Sequence, residues 1–222
     1  MTHMELDALN KLSYGIFVLT TNQNGKDNGC IINTVEQVTA EPNRIAIAVN
    51  KLNYTHDMIQ NVGKFCVSVL SEEADFELIK RFGFQTGKAV DKFEGFKECE
   101  RDGNGIYYIT KCTNAYFSVD VEQTVDLGTH TMFIGKVKEM KVLSSAPSAT
   151  YSYYHQNIKP QQHQPQEAII TPKTVDSGSP ELEGQTIWRC KVCGYEYVGK
   201  ELPADYICPA CKHPASDFER VY

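Results

Sequence analysis

Two cysteine pairs constrain this chain more than any other feature. Cys190-Lys191-Val192-Cys193 and Cys208-Pro209-Ala210-Cys211 stand fourteen residues apart. A C-x-x-C knuckle can turn two sulfurs and several backbone N–H groups toward one ion, and two such knuckles close a tetrahedron of thiolates. Cys190, Cys193, Cys208 and Cys211 are therefore expected to bind one metal ion. The surrounding segment of about 36 residues is too small to bury a self-sufficient core. A bound metal would supply the missing stability. By geometry alone, tetrahedral sulfur suits zinc and iron alike.

The other four of the eight cysteines, Cys30, Cys66, Cys99 and Cys112, are isolated and far apart. They read as small buried core residues. A net charge of -6 argues against a general nucleic-acid binder and against docking on an anionic membrane. No apolar run approaches the ~18–20 residues of a membrane span. Met1 to Asn10 lacks a signal pattern, with Glu5 and Asp7 where basic residues would stand. The expectation is a cytoplasmic protein whose thiols stay reduced rather than forming a disulfide framework.

Before the knuckles the pattern is mostly β. Tyr14 to Thr21 is rich in β-branched and aromatic residues and runs into Asn22-Gln23-Asn24-Gly25, a hairpin signal. Gly29 to Val35, Arg44 to Val49, Phe65 to Leu70, Ala115 to Val125 and Thr131 to Val142 are further strand candidates, with Pro42 in a turn. Two helices are predicted. Tyr54 to Val62 starts from Asn53 as N-cap and stops at Gly63. Glu72 to Phe82 sets Phe76, Ile79 and Phe82 on one face and stops at Gly83. Many short strands with few helices in ~150 residues predict a closed antiparallel barrel. Residues 156–186 are rich in glutamine and proline, contain Ser177-Gly178-Ser179, and show no hydrophobic period. They read as a linker; the alternative is an arm swapped onto a partner subunit through Ala168-Ile169-Ile170.

Three segments of the first region carry candidate ligand groups. Around the first helix, Lys51 offers a charge, and Asn50, Asn53 and Thr55 offer hydrogen bonds. The helix start adds free N–H groups and a positive dipole end, so a terminal phosphate would fit there. In Gly29 to Thr39, polar Asn33, Thr34 and Gln37 could bond the edge of a heterocycle. The third segment, Asp126 to Val137, contains His130. From the residues alone, a capped helix and an ordinary amphipathic strand remain the competing reading.

The flanks of the knuckles resemble rubredoxin: Trp188 before the first cysteine, Gly194-Tyr195 after the second, Pro209 inside the second knuckle and Phe218 beyond it. The run Cys208-Pro209-Ala210-Cys211-Lys212-His213-Pro214 is similar to the compact rubredoxin domain at the end of rubrerythrins. The resemblance covers Ile187 to Tyr222 and lacks the longer middle loop of free rubredoxins. It implies one iron per chain in a Fe(Cys)4 centre, with a structural zinc ribbon as the alternative. Trp188, Tyr195, Tyr197 and Phe218 would keep water from the sulfurs. His213 reads as a surface residue.

Taken together, the three earlier segments resemble the flavin reductase family, from about Ala8 to Tyr154. Lys88 to Phe96 and Tyr151 to His155 are also similar to stretches found there. The implied fold class is mainly β: an FMN-binding split β-barrel over residues 1–155, then the linker, then a small rubredoxin-like metal-binding domain over 187–222. The resemblance implies non-covalent FMN, with Asn50, Lys51 and Thr55 on phosphate and ribityl and with Asn33, Thr34 and Gln37 facing the isoalloxazine. His130 would lie near the ring where the nicotinamide docks. It further implies a homodimer with flavin near the interface. No G-x-G-x-x-G fingerprint is present, so NADH or NADPH would bind in the barrel cleft.

This order of domains resembles the high-molecular-weight rubredoxins of anaerobic bacteria. The implied reaction runs from NAD(P)H to FMN, then to iron, then to an acceptor such as a flavodiiron protein that reduces nitric oxide or dioxygen. Two other readings stay open. One is a pure electron carrier loaded by a separate reductase. The other is a flavin-binding protein with a zinc ribbon.

Overall fold

The computed structural model describes residues 11–160, 186–190, 196–207 and 214–220. It divides into two units, Met1–Gln161 and Gln162–Tyr222.

In the first unit, β1 (Phe17–Gln23) and β2 (Lys26–Ile32) form a hairpin. Its turn residues Asn24 and Gly25 both have positive φ, 54° and 83°, as the strand twist of a tight hairpin requires. β3 (Val35–Ala40) and β4 (Asn43–Asn50) form a second hairpin around Pro42. α1 (Tyr54–Val62), β5 (Lys64–Leu70), α2 (Phe76–Gly83), β6 (Cys99–Arg101), β7 (Tyr107–Ile109), β8 (Thr113–Asp126) and β9 (His130–Val142) follow. A helical turn, Tyr151–Tyr153, runs into π-helical Tyr154–Ile158.

Seven strands make one antiparallel sheet in the order β2-β1-β5-β8-β9-β4-β3. Its end strands β2 and β3 are consecutive in sequence, joined by Asn33-Thr34. Among the described residues no ladder pairs them, so the predicted closed barrel is instead split at this seam. Period-two alternation sorts the side chains. Leu19, Ile47, Val49, Phe65, Val67 and Phe133 fill one face around Ile59 of α1. Ile16, Val18 and Leu70 meet Leu78, Ile79 and Phe82 of α2 on the other.

α1 has the predicted bounds, with Gly63 left-handed at its C-cap (φ 67°). α2 begins later than predicted. The Asp75 carboxylate accepts from the Leu78 N–H at 2.8 Å and starts the helix there, and Phe84 rather than Gly83 closes it. Cys30 and Cys66 are buried as expected, and burial pushes both thiols upward. Cys99 and Cys112 are only half-buried, which departs from expectation.

Two features brace the β2 edge. The buried Lys92 ammonium donates to the Gly29 carbonyl at 2.8 Å and to the Phe82 carbonyl at 2.9 Å. Gly87 lies flat on Asn28 of β2; a Cβ there would stand 2.1 Å from Asn28 Oδ1. At the opposite side of the sheet, residues 36–40 and 122–129 are exposed throughout.

The second unit holds a three-stranded antiparallel sheet. β10 (Thr186–Cys190) lies between β11 (Glu196–Gly199) and β12 (Phe218–Arg220). Trp188 pairs with Tyr197 and Arg220, and Cys190 with Phe218. An isolated bridge joins Ile207 to Pro214, the residues on either side of 208–213. Residues 161–185, which hold most of the predicted linker and the Ala168-Ile170 contact, lie outside the described residues, as do Met1–Asn10, Tyr195 and His213. No helix among the described residues is long and apolar enough to cross a membrane.

Candidate functional site

Five predicted site residues come together where α1 begins. β4 ends at Asn50, which pairs in register with His130, the first residue of β9. The Lys51 N–H donates to the Thr129 carbonyl at 3.0 Å, and the Asn53 N–H to the Asn50 carbonyl at 3.0 Å. Asn50 Oδ1 accepts from the Leu52 N–H at 2.9 Å, which leaves its amide nitrogen for a ligand. Asn53 is extended (φ -73°, ψ 128°) and makes no side-chain cap hydrogen bond. The Tyr54 and Thr55 N–H groups in the first turn thus lack intrahelical acceptors, and the dipole end is positive.

Charge at this end is partly balanced. Lys51 Nζ lies 2.6 Å from Asp126 Oδ1. This hydrogen bond, helped by the Gly128 N–H, holds the Asp126 carboxyl below its usual range. The pair is exposed, so an incoming anion can compete for the ammonium. Tyr54 is flanked by two more cations, with Lys26 Nζ 4.8 Å and Lys88 Nζ 5.8 Å from its ring centroid.

Thr55 is placed differently from the simplest sequence reading. It is 1% exposed, and its hydroxyl accepts from Asn28 Nδ2 at 2.9 Å. It can offer a ligand its backbone N–H rather than its side chain. Asn33 and Thr34 sit together at the barrel seam, with the Thr34 hydroxyl donating to Asn33 Oδ1 at 3.0 Å. Gln37 stands on exposed β3, level with Ile45. That is five residues of β4 from Asn50, about 17 Å at strand rise, so the structure does not group the two. The His130 ring is half-buried, and its Nδ1 meets the Thr129 hydroxyl at 2.9 Å.

Sequence reasoning assigned no role to His56, Asn28 or Asp126. His56 is buried in the first turn of α1 and bonded to Thr131 of β9. The contacts that place them in the site, with Thr131, Thr55 and Lys51, are to residues far away in sequence, so nothing local marked them. A polar groove of about 460 Å³ lies elsewhere, beside α2. Its cations are committed: Lys80 to Glu77, Lys111 to Asp75, and Arg81 to the Lys92 and Glu94 carbonyls.

In the second unit Cys190 is 1% exposed, packed with Phe218 against Trp188, Tyr197, Leu202 and Tyr206. The Tyr206 ring lies 4.7 Å from Tyr197 and 5.5 Å from Phe218. Leu202 and Tyr206 extend the predicted aromatic shell. Cys193, Cys208 and Cys211 lie outside the described residues. A thiol in a dry aromatic pocket, with three more cysteines at knuckle spacing, fits a metal thiolate site.

Comparison with known proteins accords with this arrangement. Residues 9–162 match the model of the flavin reductase like domain. The chain belongs to the flavin reductase family. Residues 188–219 of this flavin reductase family member match the rubrerythrin, rubredoxin-like domain. It is 34% identical to the high molecular weight rubredoxin of Moorella thermoacetica, over 98% of this chain and all of that protein. It is 39% identical to the NAD(P)H ferric-chelate reductase of Archaeoglobus fulgidus, over 68% of this chain and 89% of that one. Among solved structures, nitrilotriacetate monooxygenase component B from Mycobacterium thermoresistibile is similar, with TM-score 0.58 and 21% identity over 74% of this chain and 94% of that one. The family fold therefore supports a flavin-dependent oxidoreductase and the second domain an iron-binding electron carrier. The open helix start and Lys51 fit a flavin phosphate.

Proposed function

We propose that the chain is an FMN-dependent NAD(P)H oxidoreductase that passes electrons to its own Fe(Cys)4 centre and from there to a soluble acceptor. The observation that carries this reading is the pairing, in one polypeptide, of a phosphate-ready helix start beside His130 with a thiolate module. FMN, when bound, takes up a hydride as two electrons and a proton and releases the electrons singly.

The chain's residues bind and orient. The Tyr54 and Thr55 N–H groups, Lys51, Asn50 and Asn53 hold phosphate and ribityl. Asn33 and Thr34, at the barrel seam, bond the isoalloxazine edge. His130 positions the nicotinamide. Cys190, Cys193, Cys208 and Cys211 hold iron, and the aromatic rings around Cys190 exclude water. The stretch of chain between Ile158 and Thr186 tethers the iron module at an effective concentration of about the millimolar range. The protein acts in the cytoplasm as a homodimer whose contact includes Leu52 and Leu127, both exposed beside the site. By family resemblance the acceptor is a flavodiiron protein reducing nitric oxide or dioxygen.

The test is the absorption spectrum of the purified protein before and after anaerobic NADH or NADPH. The expected result is flavin and ferric-thiolate bands that both bleach. Flavin bleaching with the iron band unchanged would restrict the activity to the first domain. Zinc without iron would make the second domain a docking ribbon.

A further inference from the structure

The buried imidazole of His56 takes no part in the chemistry above, yet it joins the two ends of the site. It sits in the first turn of α1, 8% exposed. Its Nε2 meets the Thr131 hydroxyl at 2.8 Å, a contact between residues 75 positions apart. Its Nδ1 lies 3.1 Å from Asp57 Oδ1, and its ring centroid lies 5.6 Å from that of Phe133. The carboxylate can only accept, so Nδ1 donates to Asp57, and Nε2 is left to meet the Thr131 hydroxyl. The charged groups around the ring are Asp57, its partner Lys88, and Asp126 with Lys51.

Thr131 follows His130 and is buried, while residues 127–129 before it are exposed. His130 otherwise bonds the hairpin tip: its ring meets the Thr129 hydroxyl and its carbonyl accepts from the Leu127 N–H at 2.9 Å. The ladder to Asn50 fixes His130 along the strand. What remains is the gap between β9 and the first turn of α1. The His56–Thr131 bond spans that gap.

We propose that His56 and Thr131 are a positioning pair that holds His130 at a fixed distance from the phosphate end of α1, and so aligns the nicotinamide with the flavin ring. This rests on the flavin and nicotinamide reading of the site. Neither residue touches the reacting atoms. Both act through where His130 stands.

The test uses the full chain loaded with FMN and compares Thr131→Val and His56→Leu with the conservative Thr131→Ser and His56→Gln. Misalignment acts on the rate rather than on binding, and a displacement of ~1 Å can cost ~100-fold. The expected result is a kcat with NADH or NADPH lowered about tenfold or more by Thr131→Val and by His56→Leu, with KM and FMN affinity within about twofold. The conservative variants should recover most of the rate. Unchanged kcat in Thr131→Val overturns the proposal. So does a parallel loss of FMN affinity and kcat that the conservative variants leave unrepaired, because that describes a merely structural contact. Should His56→Leu fail to fold, the near-isosteric Thr131→Val decides. A wild-type protein that binds FMN poorly or accepts no hydride overturns the underlying reading, and the pair with it.

Discussion

The Asn28 side-chain amide donates to the Thr55 hydroxyl at 2.9 Å inside the protein, tying the end strand β2 to the first turn of α1. The hydroxyl is therefore a structural acceptor. Thr55→Val leaves the buried amide with one fewer partner and should lower stability by about 1–3 kcal/mol. FMN affinity should change by less than about twofold, since the Thr55 N–H survives the change. Thermal melts paired with FMN titration check this. A large loss of affinity at unchanged stability would place the hydroxyl on the ligand instead.

Lys92 gives a pH signature of definite sign. Burial lowers its ammonium from 10.5 to about 8. Between those values the unfolded chain holds a proton that the folded one has released, so this group makes stability rise with pH, by no more than about 3 kcal/mol. The Cys30 and Cys66 thiols, both raised by burial, act in the opposite direction. In a background with both changed to alanine the rise should be visible in urea midpoints measured from pH 8 upward. Adding Lys92→Met should flatten it.

Leu52 is 90% exposed directly beside Lys51, and Leu127 is 50% exposed on the facing hairpin tip. If a second copy covers them, Leu52→Glu should shift the protein from dimer to monomer in sedimentation and weaken FMN binding along with it. A dimer that survives the change would move the interface elsewhere.

The two domains should separate cleanly under mutation. Cys208→Ser removes one of four proposed thiolates and should abolish iron binding and transfer to an acceptor. Flavin reduction by NADH should stay within about twofold of wild type, because no flavin-site residue lies in that module. Metal analysis and stopped-flow absorbance check both halves. Equal loss of both activities would contradict a two-module device.

The legible parts of the fold carried their signals locally. The Asn24-Gly25 turn, α1 with Asn53 and Gly63 at its ends, and the cysteine knuckles could each be read from a few adjacent residues. β3 was missed because all but its first residue are exposed, which erases the alternation that marks a half-buried strand. β6 and β7, three residues each, are too short to show a period. The start of α2 was misplaced because the Asp75 cap outweighed the helix-forming glutamates before it. In the site, the residue types at the α1 end were readable, but their directions were not. Thr55 turns inward because its partner is Asn28, and Gln37 stands apart because β3 runs away from α1. Neither distance is encoded between neighbours in sequence. Tyr206 joined the aromatic shell for a similar reason, since only the fold brings it to Phe218.

Gly87 rests on the same Asn28 that serves Thr55. A methyl group at position 87 would push the Asn28 amide aside, deprive Thr55 of its donor, and so disturb the turn from which α1 begins. A loop residue with no contact to cofactor would then register as a loss of stability at the start of α1, the same loss expected of Thr55→Val. Sequence drift in residues 85–90 is thereby chained to the cofactor end of the barrel, and alanine at 87 should be tolerated only alongside a smaller side chain at 28.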